Sequence, residues 1–255
     1  MCVTVLLAQP SWAQESDEWR FQASAYIFLP SVSGTTIFPG PGGPGVDPSK
    51  ILDNLNFVFM GSFGAEKGRW GMFTDVVYLD IGDSESPSRS FTIGGTLPAE
   101  ATATVHYGLD GWLWALAGSW RAASAPGYQL NLIGGARLLD IDQAINWQLS
   151  GNIGSIPLDE RAGTRMAGVS NWDAIVGFKG RAMLGEKRRW FIPFYFDVGA
   201  GESSLTWQAM AGAGYAFGWG DVTAAWRHID YDMKPGKPIE SISFDGPGIA
   251  ASFHW

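Results

Sequence analysis

Imidazole and thiol groups are scarce in this chain. His106, His228 and His254 are its three histidines, and Cys2 is its one cysteine. No histidine stands at a metal-ligand spacing from another, and one thiol cannot build a Cys-rich zinc site, so we expect no metal and no cofactor. His228 with Asp230 and Asp232 has the residue types of His/Asp hydrolytic chemistry. Strand alternation, however, puts His228 and Asp230 on the same face as Trp226, where they read as interfacial side chains. Ser203 and Ser204 follow Glu202 with no base nearby in sequence, and such hydroxyls more often cap turns. Gly212-Ala213-Gly214 is not followed by a helix and is no nucleotide loop; in a strand, glycine marks close packing or a bend. We assign no catalytic residue.

The ionisable residues with a coherent placement are Asp75, Arg137, Asp173, Lys179, Arg181, Asp197 and Arg227, joined by Arg20. Each lies in an alternating segment, on the face opposite the aromatic residues. Buried charges persist only when paired, so this pattern predicts an ion-pair network on the inward side of the elements that carry it. The other chemistry open to such a set is a charged lining that selects a small polar solute.

Those elements are strands. Trp19, Phe21, Ala23, Ala25, Ile27 and Leu29 share one face while Arg20, Gln22 and Ser24 share the other, a period of two. The same alternation runs through 190–199, where Trp190, Ile192, Phe194, Phe196 and Val198 oppose Phe191, Pro193, Tyr195 and Asp197. Ten segments emerge: 19–29, 55–66, 70–81, 99–120, 128–148, 169–182, 190–199, 204–217, 221–232 and 241–255. Short turns alternate with mostly longer connections at 30–54, 82–98, 149–168 and 233–240; 200–203 is the exception. An aromatic residue ends most apolar faces. This is the pattern of an all-β, transmembrane, antiparallel up-and-down barrel of about ten strands, within a range of eight to twelve. A soluble lipocalin-like barrel or a β-sandwich is the structural rival, since alternation alone does not say which face is buried.

Composition narrows the class. The 255 residues are 46% hydrophobic and 16% charged with 34 Gly and 13 Trp, too aromatic for a disordered chain. No run of 18 apolar residues is present, which excludes a helical membrane span. The net charge of -8 argues against nucleic acid as a partner. Val3 to Ala8 with Ser11-Trp12-Ala13 reads as a signal peptide over 1–13 with a truncated n-region, leaving 14–255 as one barrel domain. The outer loops and rims are mainly acidic and the short turns mainly basic. Pro39 to Gly45 is too rich in Pro and Gly to pack, and Ile51, Leu52 and Leu55 have helical spacing.

The terminal alternation of Ile249, Ala251, Phe253 and Trp255 resembles the signal read by the outer-membrane barrel assembly machinery. The stretches Asp197 to Gln208, Gly212-Ala213-Gly214-Tyr215 and Trp226 to Asp232, with Trp172 to Phe178, Gly134 to Arg137, Leu52 to Phe57 and Arg69 to Asp75, resemble a group of Gram-negative outer-membrane β-barrel proteins of uncharacterised function. That resemblance implies an outer-membrane location and a barrel fold, and it brings no activity with it. Outer-membrane lipid, lipopolysaccharide and the assembly machinery are the expected partners. A ten-stranded barrel is close to the eight-stranded size that side chains fill, so the expected function is a structural envelope barrel with a filled lumen. The alternatives are a narrow porin-like channel for a small polar solute and an enzyme acting at the rim.

Overall fold

The turns are set by residues that leave the strand conformation at little cost. Gly68 (φ +59°) and Gly185 (φ +69°) take the left-handed region that glycine tolerates. The computed structural model describes residues 18–36, 55–85, 88–93, 97–153, 156–157 and 159–255. The expected signal peptide with Cys2, the Pro/Gly-rich run and Ile51 to Asn54 lie outside them.

The strands are β1 (Trp19–Phe28), β2 (Ser31–Thr36), β3 (Leu55–Lys67), β4 (Trp70–Glu85), β5 (Ser88–Ile93), β6 (Leu97–Ala125), β7 (Tyr128–Ile153), β8 (Ile156–Pro157), β9 (Arg161–Leu184), β10 (Trp190–Gly201), β11 (Ser203–Ala216), β12 (Gly220–Met233) and β13 (Ile239–His254). Ten of these, β1, β3, β4, β6, β7, β9, β10, β11, β12 and β13, form one closed ring in which each strand pairs antiparallel with its neighbours. The ring closes where β13 meets β1, with Ala25 opposite Ala251. There the Phe21 N–H donates to the Trp255 carbonyl at 2.8 Å, and the Trp255 N–H donates to the Phe21 carbonyl at 3.1 Å. Closure gives each of the ten ring strands a neighbour on both sides.

Each of the ten segments read from the sequence coincides with a ring strand, and the short link at 200–203 shrinks to Glu202 alone. The connections are another matter. Stretches read as loops at 82–98 and 149–168 are largely strand: β4 runs to Glu85, β5 pairs with the start of β6, and β7 and β9 pair as far as Leu149 opposite Arg161. Polar residues dominate these extensions, such as Thr164, whose Oγ1 donates to Asn146 Oδ1 at 2.7 Å. Where neither face must be apolar, the backbone ladder persists but the hydrophobic alternation that reveals it does not.

Inside and outside are reversed relative to a soluble barrel. Trp70 is 71% exposed, Val176 63% and Ile249 64%, while Arg137 and Asp197 have no exposure at all. Along β9, exposure alternates strictly from Met166 to Val176, with Ala167, Val169, Asn171, Asp173 and Ile175 turned inward.

Candidate functional site

The lumen is built in three layers. Toward the long connections it is apolar: Val77, Leu79, Leu113, Leu139, Ile141, Ile229, Tyr231, Ile242 and Phe244 belong to one buried cluster. The cause is the two-residue period, because Leu139 and Ile141 share the inward face of β7 with Arg137, and Ile229 and Tyr231 share that of β12 with Arg227. A cavity of about 30 Å³ remains among them, and its apolar lining offers water no hydrogen-bond partner.

Beneath this cluster lies a layer of paired charges. Arg137 forms an ion pair with Asp197 and donates to Thr206 Oγ1 at 3.2 Å. Arg227 donates to Asp75 at 2.8 Å, to the Tyr26 hydroxyl at 3.2 Å and to Gln208 Oε1 at 3.3 Å. The Tyr26 hydroxyl donates in turn to the other Asp75 oxygen at 2.9 Å. Asp173 lies directly across from Arg137 in the ladder, yet its Oδ1 accepts the Ser203 N–H at 2.8 Å.

Toward the short turns the lumen opens into a cavity of about 650 Å³. Its carboxylates are paired: Glu66 with Arg121 at 2.5 Å and Arg20 at 3.7 Å, Asp221 with His254 at 2.8 Å and Arg181 at 3.7 Å. Lys179 lies over the Phe73 ring, 3.8 Å from its centroid, and Arg181 over Phe191 at 5.7 Å. Of the residues singled out by charge, Asp75, Arg137, Asp197 and Arg227 therefore meet in the middle layer, Asp173 sits beside it, and Lys179 and Arg181 face the cavity.

Sequence reasoning missed three parts of this arrangement. Tyr26, Thr206 and Gln208 complete the charge layer, and their inward parity with Ser24 and Met210 was the available signal. The apolar layer was equally visible in parity, but attention to charge hid it. A third feature faces outward: Asp80, Asp110 and Asp142 lie directly opposite one another on β4, β6 and β7, forming an acidic row just beyond Tyr78 and Trp112.

The residues weighed for catalysis do not converge. His228 Nδ1 lies 2.9 Å from Asp245 Oδ1, its ring is 4.6 Å from that of Trp207, and Trp226 Nε1 donates to the same aspartate at 3.0 Å. Ser203 Oγ accepts from Asn171 at 3.0 Å, Ser204 Oγ donates to the Met233 carbonyl at 3.2 Å, and Glu202 accepts the Trp172 N–H at 3.2 Å. Among the described residues, no group of three or more His, Cys, Asp or Glu side chains gathers in a way that could hold a metal ion. Ile249, Phe253 and Trp255 are exposed on the outer face of the closing strand, with Ala251 half-buried between them.

No family model matches the chain, and no curated protein matches its sequence. Among solved structures, the translocator domain of the autotransporter NalP from Neisseria meningitidis is 13% identical at a TM-score of 0.36, over 94% of this chain and 90% of that one. The CymD monoaromatic hydrocarbon channel is 9% identical at a TM-score of 0.32, over 95% and 90%. The transport unit of the autotransporter AIDA-I from Escherichia coli is 9% identical at 0.31, over 98% and 93%. Scores of this size add nothing to the fold, which rests on the strand pairing itself.

Proposed function

We propose that this chain is an integral outer-membrane barrel that serves the envelope as a structural element, with its lumen closed by side chains. The observation that carries the closure is the stack of an apolar cluster on a paired-charge layer, in which Leu139, Arg137 and Asp197 are all fully buried. An ion or polar solute crossing that stack would have to break the pairs and enter a dry apolar zone, at a cost of several kcal/mol.

The outer surface supports membrane residence. A soluble monomer rarely shows a contiguous apolar patch of more than a few hundred Å². Here Leu116, Leu132, Phe178, Val176 and Ile192 are exposed on adjoining strands, bounded by Trp70, Trp190, Trp219 and Trp255 toward the short turns and by Trp112, Trp172 and Trp226 toward the other end. An apolar belt with aromatic girdles is what a bilayer requires of a barrel. Lipid and lipopolysaccharide are then its surroundings, and the exposed Ile249, Phe253 and Trp255 with Ala251 are the residues offered to the assembly machinery.

The test is fractionation followed by a flux assay. The protein should remain with outer membranes after carbonate extraction, migrate on gels in a heat-modifiable form, and leave proteoliposomes no more permeable to glycine or arabinose than empty ones. Release as a soluble monomer would remove the membrane reading, and rapid swelling would replace the closed barrel with a pore.

A further inference from the structure

The lumen is not filled along its whole length, and the unfilled part has the attributes of a ligand site. Small-molecule pockets typically occupy about 300–1,000 Å³, are mostly apolar, and hold a few convergent polar groups. The cavity of about 650 Å³ falls in that range. It is a dead end, capped by Arg227, Asp75, Tyr26 and Gln208, and it reaches the short-turn rim at Arg20, His254 and Trp255.

Its lining carries more cations than carboxylates, with Arg20, Lys179, Arg181 and Arg227 against Glu66, Asp75 and Asp221. The carboxylates that line it, Glu66, Asp75 and Asp221, are each engaged with an arginine. Lys179 stands among them with the Phe73 ring beneath its ammonium group and no carboxylate within ion-pair distance among the described residues. An aromatic face attracts a cation without neutralising it. A half-buried ammonium in a barrel interior gains most from an anion that brings its own counter-charge. One side of the wall beside it is aromatic and apolar and the other polar: Tyr195 lies opposite Lys179 on β10, Met210 lies opposite Tyr195, and the Phe191 ring fills the space that a Cβ on Gly214 would take, while Asn131 lies opposite Lys179 on β7. Arg181 and Arg20 also face the cavity but are held by Asp221 and Glu66, so the one unpaired ammonium, beside an aromatic and apolar side of the wall, suits a singly charged carboxylate better than a phosphate, whose oxygens call for several donors.

We propose that this cavity binds a small monocarboxylate with an aromatic or aliphatic body, its carboxylate on Lys179 Nζ and its body against Tyr195, Phe191 and Met210. The site does not depend on whether the barrel conducts, so its failure and that of the closed-barrel reading are separate results.

The probe is benzoate, titrated by calorimetry into the wild-type barrel in nanodiscs of zwitterionic lipid, with benzamide as the uncharged counterpart of the same shape and empty nanodiscs as the blank. Benzoate should bind at least about tenfold more tightly than benzamide, equivalent to one ion pair's worth of about 1.4 kcal/mol. Lys179→Gln should erase that preference, Lys179→Arg should keep most of it, and Lys187→Gln in a short turn should leave it unchanged. Met210→Trp, which fills the cavity and spares the charge, should abolish benzoate binding and serves if Lys179→Gln does not yield a heat-modifiable barrel. Equal affinity for benzoate and benzamide in the wild type, or a benzoate preference that survives Lys179→Gln or Met210→Trp, would overturn the proposal.

Discussion

Arg137 on β7 and Asp197 on β10 are joined in an ion pair that spans the intervening strand β9, and neither side chain retains any contact with solvent. The strand between them makes room at Gly177, which pairs with Ile133 on one side and Asp197 on the other. A Cβ at Gly177 would lie 2.8 Å from that of Asp197. Breaking such a pair leaves one buried charge alone, typically at about 3–5 kcal/mol, whereas replacing both partners by apolar groups of similar volume is often neutral. Arg137→Met should therefore lower unfolding stability in urea by about that amount, and Arg137→Met with Asp197→Leu should recover most of it. Additive losses in the double variant would show that the two residues act separately.

Leu139 has no exposed surface and lies at the centre of the apolar layer. Truncation to alanine removes packing that its neighbours can only partly restore, so Leu139→Ala should cost about 2–5 kcal/mol in the same urea titration. A loss of a few tenths would mean that this layer is loosely filled and does not seal the barrel.

The two faces of β7 give a contrast within four residues. Leu132 is exposed on the outer belt and pairs with Phe178, whereas Gln129 lines the cavity. Leu132→Arg places a charge in hydrocarbon, at about 2–4 kcal/mol near the bilayer midplane. Gln129→Arg adds a charge to a polar space. Folding titrations into lipid vesicles should show the first variant destabilised and the second nearly unchanged; the reverse order would invert the assignment of faces.

Asp80, Asp110 and Asp142 present three carboxylates in a row across neighbouring strands, and like charges directly opposite destabilise a sheet. Asp110→Asn should raise stability by about 0.2–1 kcal/mol at low ionic strength. The gain should shrink at 1 M salt, where the screening length falls to about 3 Å. A stability loss in Asp110→Asn would contradict simple repulsion.

What the sequence disclosed depended on which solvent each face met. Along the apolar belt, the outer surface and the lumen imposed opposite demands on successive residues, so Trp190 to Val198 and Trp172 to Phe178 showed both their strand state and their orientation. Beyond the belt, polar residues occupy both faces, and the extensions near Thr164 and Asn146 carried no such mark. The inward charges were visible as exceptions on small polar faces, but their partners were not. Arg137 and Asp173 are opposite each other in the ladder, and only the three-dimensional curve of the wall sends Arg137 past Asp173 to Asp197. The cavity was invisible for a related reason: Phe191, Tyr195 and Met210 are large enough to suggest a filled lumen, and only their arrangement around the wall shows the space they enclose.

Planar-bilayer recording on the purified wild-type barrel tests the closed lumen most directly. With the apolar layer and the Arg137–Asp197 and Arg227–Asp75 pairs intact, insertion of the protein should leave membrane conductance at its baseline over a wide voltage range. Steady, charge-selective single-channel currents from the wild type would contradict the account.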